Sequence, residues 1–141
     1  MEVFESKSIA DTERIAQTIA EKVKRNGFLA LYGGMGAGKT AFTRGLAKGL
    51  GLDDHVSSPT FALVHQYGSG ANALYHFDMY RITDSDDLYS TGFYEYLERP
   101  GIVAAEWCEM IPEDLPEHRY EIRFERVSDS CRNITIEEIG A

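Results

Sequence analysis

The sequence predicts a single-domain α/β fold: a three-layer sandwich with helices on both faces of a mixed central sheet. Three observations carry this. Apolar runs of strand length alternate with segments of helical periodicity along nearly the whole chain, the pattern that lays helices over a sheet. Two of the runs are joined by the turn Gly68-Ser69-Gly70, which is hairpin spacing, so an antiparallel pair interrupts the parallel order. The 141 residues match the size of one domain with one core, since domains commonly run to about 100–150 residues.

The elements follow in order. Ser8 with Asp11 makes a helix cap of the S-x-x-[DE] type, and Ile15, Ala16, Ile19, Ala20 and Val23 recur at helical spacing up to Gly27. Residues 28–32 (Phe-Leu-Ala-Leu-Tyr) read as a buried strand. Residues 39–50 read as a helix with Phe42, Leu46 and Leu50 on one stripe, closed by Gly49 and Gly51. Strands follow at 61–64 and 73–77. Residues 84–98 look helical behind an acidic first turn, and 102–105 (Ile-Val-Ala-Ala) look like a buried strand. Tyr120, Ile122 and Phe124 alternate with charged residues, as Ile134 and Ile136 do with Thr135 and Glu137, so two closing strands each have one wet face.

Between the first predicted strand and the second helix stands Gly33-Gly34-Met35-Gly36-Ala37-Gly38-Lys39-Thr40, which fits the phosphate-loop pattern G-x-x-x-x-G-K-[ST] in the strand-to-helix setting the pattern requires. The fold is therefore P-loop NTPase-like. Glycines let such a loop turn its N–H groups inward, toward the same concavity that the positive end of the next helix faces. A triphosphate is the expected occupant of a cradle running from Gly33 to Ala41. Lys39 is expected to reach its outer phosphates and the Thr40 hydroxyl to complete the shell of a magnesium ion.

Phosphoryl transfer also calls for carboxylates that hold the metal and orient the attacking group. Asp78 follows the run 74–77, apolar except for His76, and Glu106 follows the wholly apolar 102–105. Acids at the carboxyl ends of parallel strands point at the ligand crevice of an open α/β sheet. The alternative is that either one caps a turn or pairs with an arginine such as Arg81. Ser58-Pro59-Thr60 is equally readable as a stiffened loop presenting the Thr60 hydroxyl to the γ-phosphate or metal and as a plain turn. His65 and His76 receive no chemical role, and Trp107, Tyr94 and Tyr96 read as core or interface aromatics.

Charge limits the partners. The chain carries a net −9; residues 1–50 hold eight Lys or Arg against five Asp or Glu, and residues 51–141 hold six against eighteen. Gripping a nucleic-acid backbone needs clustered Lys and Arg, so any RNA is expected to be held by a partner. No apolar stretch nears the roughly 20 residues of a membrane span, and Cys108 and Cys131 fit no metal spacing. The expectation is a protein of the reducing cytoplasm.

Gly-Ala-Gly-Lys-Thr at 36–40, Ser-Pro-Thr-Phe-Ala-Leu-Val-His-Gln-Tyr at 58–67, His-Phe-Asp-Met-Tyr-Arg at 76–81, Gly-Phe-Tyr-Glu-Tyr-Leu at 92–97 and Glu-Trp at 106–107 together resemble the TsaE family. These are small bacterial ATPases needed for threonylcarbamoylation of the adenosine beside the anticodon in tRNAs that read codons starting with A. The resemblance implies ATP and Mg2+ as cofactors, Lys39 and Thr40 on phosphate and magnesium, and 58–60 as a nucleotide-responsive loop. It also implies Asp78 and Glu106 as the acidic centre, Glu106 tied to the metal and Asp78 to the water or its second shell, or the two exchanged. The family acts on the threonylcarbamoyl transferase and its paralogous partner subunit rather than on tRNA itself. The chain departs from the pattern at Gly34, Met35, Ala41 and Ala105, none of them a reacting group. Two other readings use the same loop: a small-molecule kinase, which lacks here the arginine-rich lid such enzymes close, and a nucleotide-sensing adaptor.

Overall fold

The computed structural model describes residues 1–23, 27–33, 38–52, 64–68 and 70–140. Among them seven strands form one sheet in the order β1-β7-β6-β2-β5-β4-β3: β1 (Glu2–Ser6), β2 (Phe28–Tyr32), β3 (Val64–Tyr67), β4 (Leu74–Asp78), β5 (Ile102–Glu106), β6 (Arg119–Arg126) and β7 (Arg132–Ile139). The four central strands β6, β2, β5 and β4 run parallel, while β3 pairs antiparallel with β4, β7 with β6 and β1 with β7. The sheet is mixed, as expected. Among the described residues four α-helices flank it: α1 (Ile9–Val23), α2 (Lys39–Gly49), α3 (Ser85–Ser90) and α4 (Phe93–Glu98).

The sheet separates two apolar layers. On one face Ala16, Ile19 and Ala20 of α1 and Phe42, Leu46 and Ala47 of α2 bury against Leu29, Leu31, Leu74, Ile122, Phe124 and Ile134. On the other, Leu88 of α3 and Phe93 of α4 bury against Phe28, Ala30, Tyr75, Phe77 and Val103, with Phe77 and Phe93 in edge-to-face contact at 5.6 Å. Central parallel strands are buried on both sides, so β2 and β5 read in the sequence as unbroken apolar runs.

Local chemistry sets the helix ends. The Ser8 hydroxyl accepts from the Asp11 amide at 3.0 Å, and the Asp11 carboxylate reaches back to the Lys7 amide at 2.9 Å, which satisfies amides that the first turn leaves unpaired. At the far end of α2 the Leu52 amide bonds the Ala47 carbonyl across Gly51, whose φ is 77°.

Four features depart from the sequence reading. β1 was not expected: Glu2-Val3-Phe4-Glu5 is mostly exposed, and its strand form rests on the ladder to β7, Val3 opposite Thr135 and Phe4 opposite Ile134. The helix expected at 84–98 is two helices, because Gly92 at φ 81° interrupts it. The strand expected at 61–64 lies outside the described residues except for Val64, and β3 runs on to Tyr67 because the hairpin with β4 pairs Tyr67 with Leu74. Glu121 is 8 % exposed rather than wet, and its two oxygens accept from Arg119 at 2.9 Å and Arg123 at 2.8 Å, which offsets the cost of burying the charge.

Candidate functional site

The carboxyl ends of β2, β4 and β5 meet at one edge of the sheet. Asp78 and Glu106 are the last residues of β4 and β5 and stand directly opposite one another, while Leu31 of β2 stands opposite Glu106 from the other side. The Met79 amide donates to the Glu106 carbonyl at 3.0 Å, so the pairing continues one residue beyond β4 and fixes the two acids in register. Such an edge is where open α/β sheets bind ligands.

Gly33 follows β2 with φ 154° and Gly38 precedes α2 with φ 100°; both values lie where a side chain would be strained. Gly38 is the N-cap of α2 and has no side chain to bond the first amides. No acidic residue stands in the first turn of α2, so the positive end of the helix keeps its attraction for an anion. Lys39 opens that helix and turns back toward the end of β2. It is 8 % exposed; its Nζ donates to the Gly33 carbonyl at 2.7 Å, lies 3.6 Å from Glu106 Oε1 and sits 4.9 Å from the centroid of the Trp107 ring. Thr40 and Ala41 follow in the same turn, Ala41 buried. Gly34, Met35, Gly36, Ala37 and Thr60 lie outside the described residues.

Glu106 is the electrostatic centre of the cluster. Burial alone would push its carboxyl up, but the hydrogen bond from His76, followed by the charges of His76 and Lys39, holds it below the ordinary carboxylate range. It is therefore an anion across the neutral range. Asp78 is half-buried, and its Oδ1 accepts from the Tyr80 amide at 2.9 Å. That carboxylate closes a turn, one of the two roles open to it from sequence, and its second oxygen is not engaged in that bond.

His76 was passed over by the sequence reading. It is fully buried, and its Nε2 lies 2.5 Å from Glu106 Oε2. The sequence signal was the lone polar residue inside an otherwise apolar strand, two positions before a strand-end acid. Trp107 is also more than packing. At φ 61° it is the one non-glycine residue with positive φ among the described residues, and it carries the Lys39 ammonium on one side and Tyr80, 5.0 Å away between centroids, as a neighbour. Its backbone conformation costs about 1–3 kcal/mol, which the surrounding contacts must offset.

A cationic lysine, a helix start turned toward it, a threonine in its first turn and a buried anionic carboxylate together form a donor set for a phosphate chain with a hard divalent cation. The residues present fit both groups. The family model described as threonylcarbamoyl adenosine biosynthesis protein TsaE matches residues 6–134. The chain belongs to the TsaE family. It is 42 % identical over 131 residues to the tRNA threonylcarbamoyladenosine biosynthesis protein TsaE of Bacillus subtilis, covering 92 % of this chain and 81 % of that protein. To the TsaE of Treponema pallidum it is 35 % identical, covering 93 % and 96 %. The crystal structure of Bacillus subtilis YdiB superimposes with a TM-score of 0.80 at 34 % identity, over 99 % of this chain and 86 % of that one. No helix among the described residues is long and apolar enough to cross a membrane.

Proposed function

We propose that the chain binds ATP with magnesium, hydrolyses it, and spends the hydrolysis on a complex that threonylcarbamoylates the adenosine beside the anticodon. The observation that carries this is Lys39, buried at the start of α2 between the Gly33 carbonyl and Glu106, in a chain whose family is described by threonylcarbamoyl adenosine biosynthesis. Lys39 exchanges the Gly33 carbonyl for the outer phosphates, an ion-to-ion contact stronger than the ammonium–carbonyl bond it replaces. Thr40 and Glu106 hold the cation, and Asp78, opposite Glu106 on β4, orients the attacking water or the metal's outer shell. Magnesium held there would supply neutralisation of the negative charge on the phosphate chain. The excess of Asp and Glu after residue 50 leaves tRNA to the partners, the transferase and its paralogous subunit, in the cytoplasm.

The test is phosphate release from magnesium ATP by the purified chain, alone and with the transferase and its partner subunit, beside Lys39→Ala and Glu106→Gln. Stimulation by the complex that both substitutions abolish supports the reading. Tight ATP binding without stimulation refutes the coupling and leaves an adaptor, and release that requires an added small-molecule acceptor identifies a kinase.

A further inference from the structure

We propose that His76 is a positioning residue for Glu106: its Nε2–H anchors Oε2 and thereby turns Oε1 toward Lys39 at the start of α2. The proposal rests on the nucleotide-site reading above and names a residue that reading does not use. His76 lies on β4 opposite Ala104 of β5, two residues before Asp78, and its ring reaches along the sheet to the acid at the end of the neighbouring strand.

Two observations favour positioning over packing. The first is the division of the carboxylate: Oε2 is taken by His76 at 2.5 Å, while Oε1 is the oxygen that faces Lys39 at 3.6 Å. A carboxylate rotates readily about its last torsion, so the anchored oxygen decides where the other points. The second is the ring's far nitrogen. Nδ1 is buried and finds no hydrogen-bond partner among the described residues, which leaves its desolvation uncompensated. A leucine or phenylalanine would fill the same fully buried volume without that cost. The bond to Glu106 is the contact that offsets it. Since a carboxylate only accepts, Nε2 carries the hydrogen of this bond.

Groups that orient a metal-binding carboxylate typically change metal affinity or activity by about 10–100-fold when removed. The experiment measures binding of a fluorescent ADP analogue across a magnesium titration, with phosphate-release kcat and KM alongside, for wild type, His76→Leu and His76→Gln. Glutamine places an N–H near the position of Nε2; leucine fills the volume without a donor. The expected result is magnesium-free nucleotide affinity within about twofold of wild type for both, and a magnesium requirement raised about 10–100-fold in His76→Leu. That variant's kcat falls without a matching rise in KM, and His76→Gln recovers most of both. Should His76→Leu not fold, His76→Asn, whose shorter amide does not span to Oε2, takes its place. A magnesium requirement unchanged in the donorless variant overturns the proposal, as does equal impairment of the leucine and glutamine variants with equal loss of thermal stability. Absence of any nucleotide binding by the wild-type chain overturns the site reading itself, and the positioning role with it.

Discussion

Adding one methyl group at Gly45 tests the packing that sets α2 against α1. On helix propensity alone, Gly45→Ala in the middle of α2 should stabilise the protein by about 1 kcal/mol. The tertiary structure reverses the sign. A Cβ at this position would overlap the Glu13 carbonyl oxygen and lie 2.6 Å from Ala16 Cβ and 2.8 Å from Glu13 Cα. Two of those three are backbone atoms of α1, which cannot swing aside, so the helices must separate. Overpacking costs about 1–3 kcal/mol, and a backbone clash belongs at the upper end. The net expectation is a loss of about 2 kcal/mol, or roughly 7 °C in Tm for a domain of this size. Gly49→Ala supplies the comparison, since its Cβ would meet Ala20 Cβ at 2.9 Å and Gln17 Cα at 3.1 Å, a milder overlap with a smaller loss. The assay is reversible thermal or urea unfolding followed by circular dichroism. A Tm for Gly45→Ala at or above wild type would refute the close approach of α1 and α2.

Other perturbations reach the site and the second layer. Glu106→Gln keeps the shape and one acceptor but removes the charge, so it should retain nucleotide binding while phosphate release falls by at least about 100-fold, a loss of transition-state stabilisation near 3 kcal/mol; single-turnover kinetics check it. Tyr32 has its phenol raised to about 12, mainly by burial and then by neighbouring Cys108 and Glu121, against the lowering effect of Arg123, whose guanidinium lies 4.5 Å over the ring. A folded pKa above the unfolded value near 10 means that this group's stability contribution is complete below about pH 10 and is lost as pH rises toward 12. Absorbance titration of wild type minus Tyr32→Phe should show the missing phenolate near 12; a step near 10 would contradict the burial. Asp84 caps α3 by accepting the Asp87 amide at 2.8 Å, so Asp84→Ala should cost about 1 kcal/mol in chemical unfolding.

The sequence by itself determined what local rules govern. The change from a buried apolar run to helical spacing set the start of α2 at Lys39, Ser8 and Asp11 fixed the start of α1, and the apolar runs ending in Asp78 and Glu106 placed both acids at strand ends. Each rests on residues a few positions apart, where backbone propensity, capping and side-chain period act directly. Tertiary structure decided the rest. Only the register of β4 beside β5 sets Asp78 opposite Glu106 and brings His76 within 2.5 Å of a carboxylate thirty residues later in the chain. Only the ladder to β7 makes a strand of Glu2–Ser6, whose mostly exposed side chains bury too little surface to hold that form alone. The break at Gly92 stood on the border, since glycine permits a positive φ but does not require it; the packing of Leu88 and Phe93 into one apolar layer is what bends the chain there. Contacts between distant segments depend on strand order, and strand order follows from how two apolar layers close over a sheet rather than from any residue's neighbours.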